Sequence, residues 1–180
     1  MSFCRRNLPH WHPEGAPLFI TWRLRGSLPA FLPLPRQTAG RAFRALDTAS
    51  AGPVWLKQPR IAALVAATLR CGDEELQLYR LGAFVVMPNH VHVLLEAFGA
   101  VPRITQLIKG NTARQANQVL GRAGAPFWQH ESYDHWVRSE AEYRQIVRYI
   151  ECNPVAAGLA GGVEEWPWSS AYAGPIPDAS

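Results

Sequence analysis

Apolar and polar positions alternate first over residues 17–25, PLFITWRLR. This places Phe19, Thr21 and Arg23 on one face of a predicted strand and Ile20, Trp22 and Leu24 on the other. A Pro-rich turn to Pro35 follows, then two predicted helices over 36–49 and 59–71. Gly52-Pro53 separates them, and Ile61, Leu64, Val65 and Leu69 keep near-helical spacing in the second. The segments LQLYRLGAFVVMP and HVHVLLEAF, with a turn around Pro88-Asn89, read as paired antiparallel strands. A helix is expected from Pro102 to about Leu120, stopped by Gly121. A short strand, YDHWVR, comes next. Ser139 and Glu142 form a capping box that opens a last helix, expected to end before Pro154. From Gly161 the tail reads as irregular. The order β, α, β, β, α, β, α predicts an α+β fold, a ferredoxin-like or RRM-like sandwich with an antiparallel sheet, helices on one face and an additional helix. We expect one domain over 1–180, with residues 1–16 as an N-terminal arm.

Composition narrows the class. An apolar fraction of 48% and a charged fraction of 18% are those of a globular chain of 180 residues. No run of apolar residues is long enough for a membrane span, and the N-terminus is too polar for a secretory signal. Three cysteines with no C-x-x-C pair argue against a disulfide framework or zinc ribbon and for a reducing, cytoplasmic setting. The formal charge of +4 is unevenly spread, since residues 1–70 hold ten basic side chains against Glu14 and Asp47. Sixteen of the eighteen basic residues are Arg, which suits phosphate, and seven Trp offer stacking surfaces for bases. Arg enrichment and core-filling Trp explain the same numbers without nucleic acid, so composition does not decide the matter.

The chemistry centres on MPNHVHVLL at 87–95. In a strand His90 and His92 share a face, with Cα atoms about 7 Å apart, while Val91, Val93 and Leu95 face a core. Two imidazoles so placed can share a metal ion, although such pairs are commonly chance surface histidines. In the helix after Ser139, Tyr143, Ile146, Val147 and Ile150 form the buried stripe, and Tyr143 reads as packing. Tyr149 lies off that stripe by about 100° and shares its face with Asn153 at i+4. His90, His92 and Asn153 could then hold a divalent ion, with Tyr149 attacking a phosphate beside it. Without the histidines, Tyr149 would read as an amphipathic flank and Asn153 as a helix stop. His10 with His12, and His130 with His135, have weaker contexts.

Taken together, MPNHVHVLL, LIKGNTARQAN, FWQHESYDHWVRSEAEYRQIVRYIECNPVAAGLA and EWPWSSA resemble the REP-associated tyrosine transposases, single-tyrosine members of the HUH class. The opening RRNLPHWHPEGAPLFITWRLRGSLP is similar too, so the resemblance covers residues 5–172. It implies that His90-Val91-His92 is the HUH motif, that Tyr149 is the nucleophile and that Asn153 is the third metal ligand. It further implies a Mg²⁺- or Mn²⁺-dependent nickase and ligase, acting through a 5′-phosphotyrosine on single-stranded DNA beside palindromic hairpins. Arg5 and Arg6 in the arm are the candidates for touching the hairpin or its foot, and Lys109 and Arg114 for the DNA backbone. A monomer or homodimer in the cytoplasm, associated with the nucleoid and not with a membrane, is expected.

Two other readings stand beside this one. An RRM-like module could bind structured nucleic acid without cutting it. A zinc protein could use His90 and His92, although no Glu-bearing zincin motif is present.

Overall fold

The computed structural model describes residues 15–27 and 52–174. The arm with Arg5, Arg6, His10 and His12, and the helix expected over 36–49, lie outside the described residues. Four strands, β1 (Pro17–Arg23), β2 (Tyr79–Val86), β3 (His90–Ala97) and β4 (Tyr133–Trp136), form one sheet in the order β2-β3-β1-β4. Every pairing is antiparallel. Among the described residues three α-helices accompany the sheet: α1 (Pro59–Glu74), α2 (Val101–Val119) and α3 (Glu140–Ala156). This is the expected α+β sandwich. Among the described residues no helix is long and apolar enough to cross a membrane.

The alternation in β1 and β3 sorts the sheet into two unlike faces. Ile20, Trp22, Leu24, Val91, Val93 and Leu95 pack with Ile61, Val65 and Leu69 of α1 and Ile104, Ile108 and Ala116 of α2. Each such side chain taken fully out of water contributes about 1.5–3 kcal/mol, which makes this the main core. The opposite face is smaller. Phe19, Ala83, Val85, Met87 and Leu94 receive Tyr143, Ile146, Val147, Tyr149 and Ile150 from α3. A polar surface thus sits between the central strands and a single helix.

Local chemistry sets where α3 begins and ends. Ser139 Oγ accepts the Glu142 N–H, and the Glu142 carboxylate accepts the Arg138 N–H at 2.7 Å and bonds His135 Nε2 at 2.8 Å. The backbone N–H of Arg138, and secondarily His135, hold the Glu142 carboxyl below its ordinary range. The start of α3 is thereby pinned to β4.

The helix does not end before Pro154. Pro154 lies inside it, in the last turn, where it forgoes one i→i−4 hydrogen bond. The stop is Gly158, with φ +69: its N–H bonds Val155 O at 3.0 Å and the Leu159 N–H bonds Pro154 O at 2.8 Å. Asn153 therefore stands within the helix. The tail is also less irregular than expected. Val86 N–H bonds Trp168 O at 2.8 Å and Ser170 N–H bonds Phe84 O at 2.9 Å, covering the free edge of β2.

Candidate active site

β3 carries His90 and His92 onto the α3 side of the sheet, both fully buried. Their Nε2 atoms are 3.0 Å apart, converging on one point. The outer nitrogens are held as well. His90 Nδ1 faces the Asn89 Oδ1 acceptor, so it carries the proton and leaves Nε2 as a lone pair. His92 Nδ1 lies 2.7 Å from Thr21 Oγ1, its cross-strand neighbour on β1. A hydroxyl donates or accepts, so His92 can present either Nε2–H to His90 or a second lone pair to a cation. Fixing the far nitrogen in this way is how proteins orient imidazoles that bind metals.

The phenol of Tyr149 lies 3.3 Å from His92 Nε2. Phe19 stacks on the His92 ring at 5.5 Å between centroids and meets Tyr149 edge-on at 6.1 Å, limiting the tilt of both. Tyr143, on the same helix, goes elsewhere: its hydroxyl lies over Gly82, where an added Cβ would stand 2.4 Å away. The two tyrosines thus separate as the spacing predicts, one packing and one at the imidazoles.

Asn153, one turn beyond Tyr149, is 2% exposed, and neither its Oδ1 nor its Nδ2 has a hydrogen-bond partner. Burying an amide unpaired costs about 1–3 kcal/mol, so an orphaned carboxamide calls for a ligand. Two imidazole nitrogens and one amide oxygen fit a divalent cation that retains open positions. Among the described residues no group of three or more His, Cys, Asp and Glu could hold a metal. The unpaired amide of Asn153, one turn from Tyr149 on α3, is the candidate for a third donor.

The other expected contact residues lie apart from this centre. The Lys109 ammonium donates to Gln129 O, His130 O and Ser132 Oγ at 2.7–3.2 Å, tying α2 to the loop before β4. Arg114 is exposed and bonds Asn111 at 3.3 Å, on the helix that covers the other sheet face. His130 is exposed and His135 pairs with Glu142, so that histidine pair forms no site. Thr21 and Asn89 are the residues that sequence reasoning missed. Alternation places Thr21 on the right face, but its role needs the β1–β3 register, in which it stands opposite His92.

Comparison with known proteins shows what the chain is similar to. Residues 66–153 match the family model described as Transposase IS200 like, a span that contains His90, His92, Tyr149 and Asn153. A REP-associated tyrosine transposase of Escherichia coli K12 is 28% identical over 93 residues, covering 51% of this chain and 54% of that protein. A putative REP-associated tyrosine transposase of Haemophilus influenzae is 26% identical over 100 residues, covering 49% and 56%. The chain thus spans about half the length of these curated relatives. The solved structure of a REP-associated tyrosine transposase bound to a REP hairpin shares the fold, with a TM-score of 0.52 and 21% identity over 99% of this chain and 94% of that one. Over about half of its length the chain is similar to REP-associated tyrosine transposases, and its residues 66–153 match the IS200-like transposase family model.

Proposed function

We propose that this protein is a metal-dependent nickase and ligase for single-stranded DNA beside hairpins, with Tyr149 as its nucleophile. The observation that carries this reading is the Tyr149 hydroxyl 3.3 Å from a buried imidazole whose Nε2 is 3.0 Å from that of a second. His90, His92 and Asn153 would hold Mg²⁺ or Mn²⁺. A site with two nitrogen donors suits manganese at least as well as magnesium. When bound, the ion supplies Lewis-acid polarisation of the scissile phosphate.

The rest falls to the chain's own groups. Phe19 and the packing of α3 keep the Tyr149 ring in place for in-line attack, a positioning effect that is lost when reacting atoms drift by about 1 Å. A free phenol ionises near pH 10, so the proton must leave as attack begins. The Tyr149 oxygen bonds to phosphorus, the P–O3′ bond breaks, and the 3′-oxygen leaves protonated. One phosphodiester is exchanged for another, so the 3′-hydroxyl can reverse the step with no nucleotide cofactor. Hairpin DNA as the substrate is supported by the relatives' names and by the fold shared with a hairpin-bound transposase.

The test is a labelled hairpin oligonucleotide with single-stranded flanks, incubated with protein and Mn²⁺ and run on a denaturing protein gel. A shifted band that disappears with Tyr149→Phe and with His90→Ala is expected. Hairpin binding without any adduct would replace this reading with that of a non-cleaving binding module.

A further inference from the structure

Arg23 is a charged residue on the His90 and His92 face of the sheet to which the proposed chemistry gives no role. In the β1–β3 register it stands directly opposite His90, one pair beyond Thr21 opposite His92. Directly opposed residues of an antiparallel pair share a face, with Cβ atoms about 4.5–5.5 Å apart. The Arg23 side chain therefore leaves the backbone beside His90, at the end of the sheet where the Leu24 N–H bonds Asn89 O at 2.8 Å, and it is long enough to bring its guanidinium to the rim of the site.

Its surroundings do not satisfy it. Arg23 is half-buried, and burial lowers the proton affinity of its guanidinium. Its one side-chain hydrogen bond is Nη1 to Ser27 Oγ at 3.4 Å, long for such a bond. Among the described residues it forms no ion pair, whereas Arg80 and Arg144 each reach a glutamate from exposed positions. A partly desolvated cation kept without a carboxylate is costly unless an anion arrives.

We infer that Arg23 binds the scissile phosphate through its five-donor planar fork. This rests on the proposed function, because it names the group that would hold the substrate in the same site. A guanidinium there matches the geometry of phosphate oxygens and stabilises charge that grows as the P–O3′ bond breaks. Ser27, held by its own bond to Leu24 O at 2.8 Å, would orient the fork and not touch the substrate.

The decisive test is one of binding, so that it does not depend on cleavage. In a Tyr149→Phe background, hairpin oligonucleotides are compared in which each flank linkage in turn is a neutral methylphosphonate. One linkage should lose about tenfold in affinity when neutralised, and Arg23→Gln should erase that loss while leaving the others unchanged. Arg23→Lys should restore part of it, since an ammonium keeps charge and loses the fork. In the Tyr149 protein, Arg23→Gln should slow single-turnover adduct formation about 100-fold, with Mn²⁺ affinity and melting temperature retained. The inference is overturned if the linkage-specific loss persists in Arg23→Gln, or if that variant weakens every linkage equally. Failure of the Tyr149 protein to form an adduct would sink the proposed function instead, and the binding comparison would still decide the role of Arg23.

Discussion

Gly82 is where the proposed chemistry depends most on the seat of one helix. It is a strand residue without a left-handed φ, at the register shift between Leu81 and Ala83 where Tyr143 packs. A Cβ there would stand 2.4 Å from the Tyr143 hydroxyl, 3.3 Å from its Cζ and 3.2 Å from Leu94 O. Ordinary contact needs about 1 Å more at the hydroxyl, so Gly82→Ala must lift Tyr143 by about that distance. Overpacking of this kind costs about 1–3 kcal/mol, or a few degrees of melting temperature per kcal/mol in a domain of this size. Tyr149 lies on the same helix, and a lift of about 1 Å would take its 3.3 Å contact with His92 beyond hydrogen-bond range. Misplacement by that amount lowers rates about 100-fold. Single-turnover adduct formation, measured with the melting temperature, should show both effects. Adding Tyr143→Phe removes the clashing oxygen and should recover most of the rate. A fully active Gly82→Ala, or a double variant as slow as the single one, would refute the claim that Tyr143 sets the height of α3.

Other expectations follow from single contacts. Tyr143→Phe alone should keep adduct formation near wild type, which the denaturing gel reads directly. Thr21→Val removes the hydroxyl 2.7 Å from His92 Nδ1 and should weaken Mn²⁺ binding by about 10–100-fold, measured by manganese titration. Gly72→Ala would set a Cβ 2.1 Å from the buried Tyr79 hydroxyl, which donates to Leu69 O. It should lower the melting temperature while leaving adduct yield per folded molecule unchanged, since this contact lies on the sheet face away from the site. The Glu142 carboxyl is held below its ordinary range, so its contribution to stability is present above the unfolded-state value and is lost as pH falls through the folded one. The stability advantage of wild type over Glu142→Gln should therefore shrink as pH drops below about 4, in melting curves taken across that range.

The parts of the molecule governed by period were legible from sequence. Alternation put Val91 and Val93 toward a core and His90 with His92 on the other face of β3, and it separated Ile20 and Trp22 from Phe19 and Thr21 in β1, as found. Helical spacing separated Tyr143 from Tyr149. What escaped depends on contacts between segments distant in the chain. Thr21 acquires its role from a neighbour 71 residues away, and Arg23 from standing opposite His90. Lys109, a candidate for the DNA backbone by sequence, bonds Gln129, His130 and Ser132 on a loop 20 or more residues later, a tie that helical spacing does not reveal. Pro154 misled because the helix continues two residues past it and stops at Gly158, whose left-handed φ closes the turn.

The central claim is that Tyr149 is the residue that joins to DNA. The most direct measurement is to trap the adduct on a hairpin substrate with Mn²⁺, digest both polymers and locate the phosphate by peptide mass spectrometry. The account predicts a nucleotide-bearing peptide with the modification on Tyr149. A modification on Tyr143 or Tyr133, or cleavage that leaves no protein-bound phosphate, would contradict it.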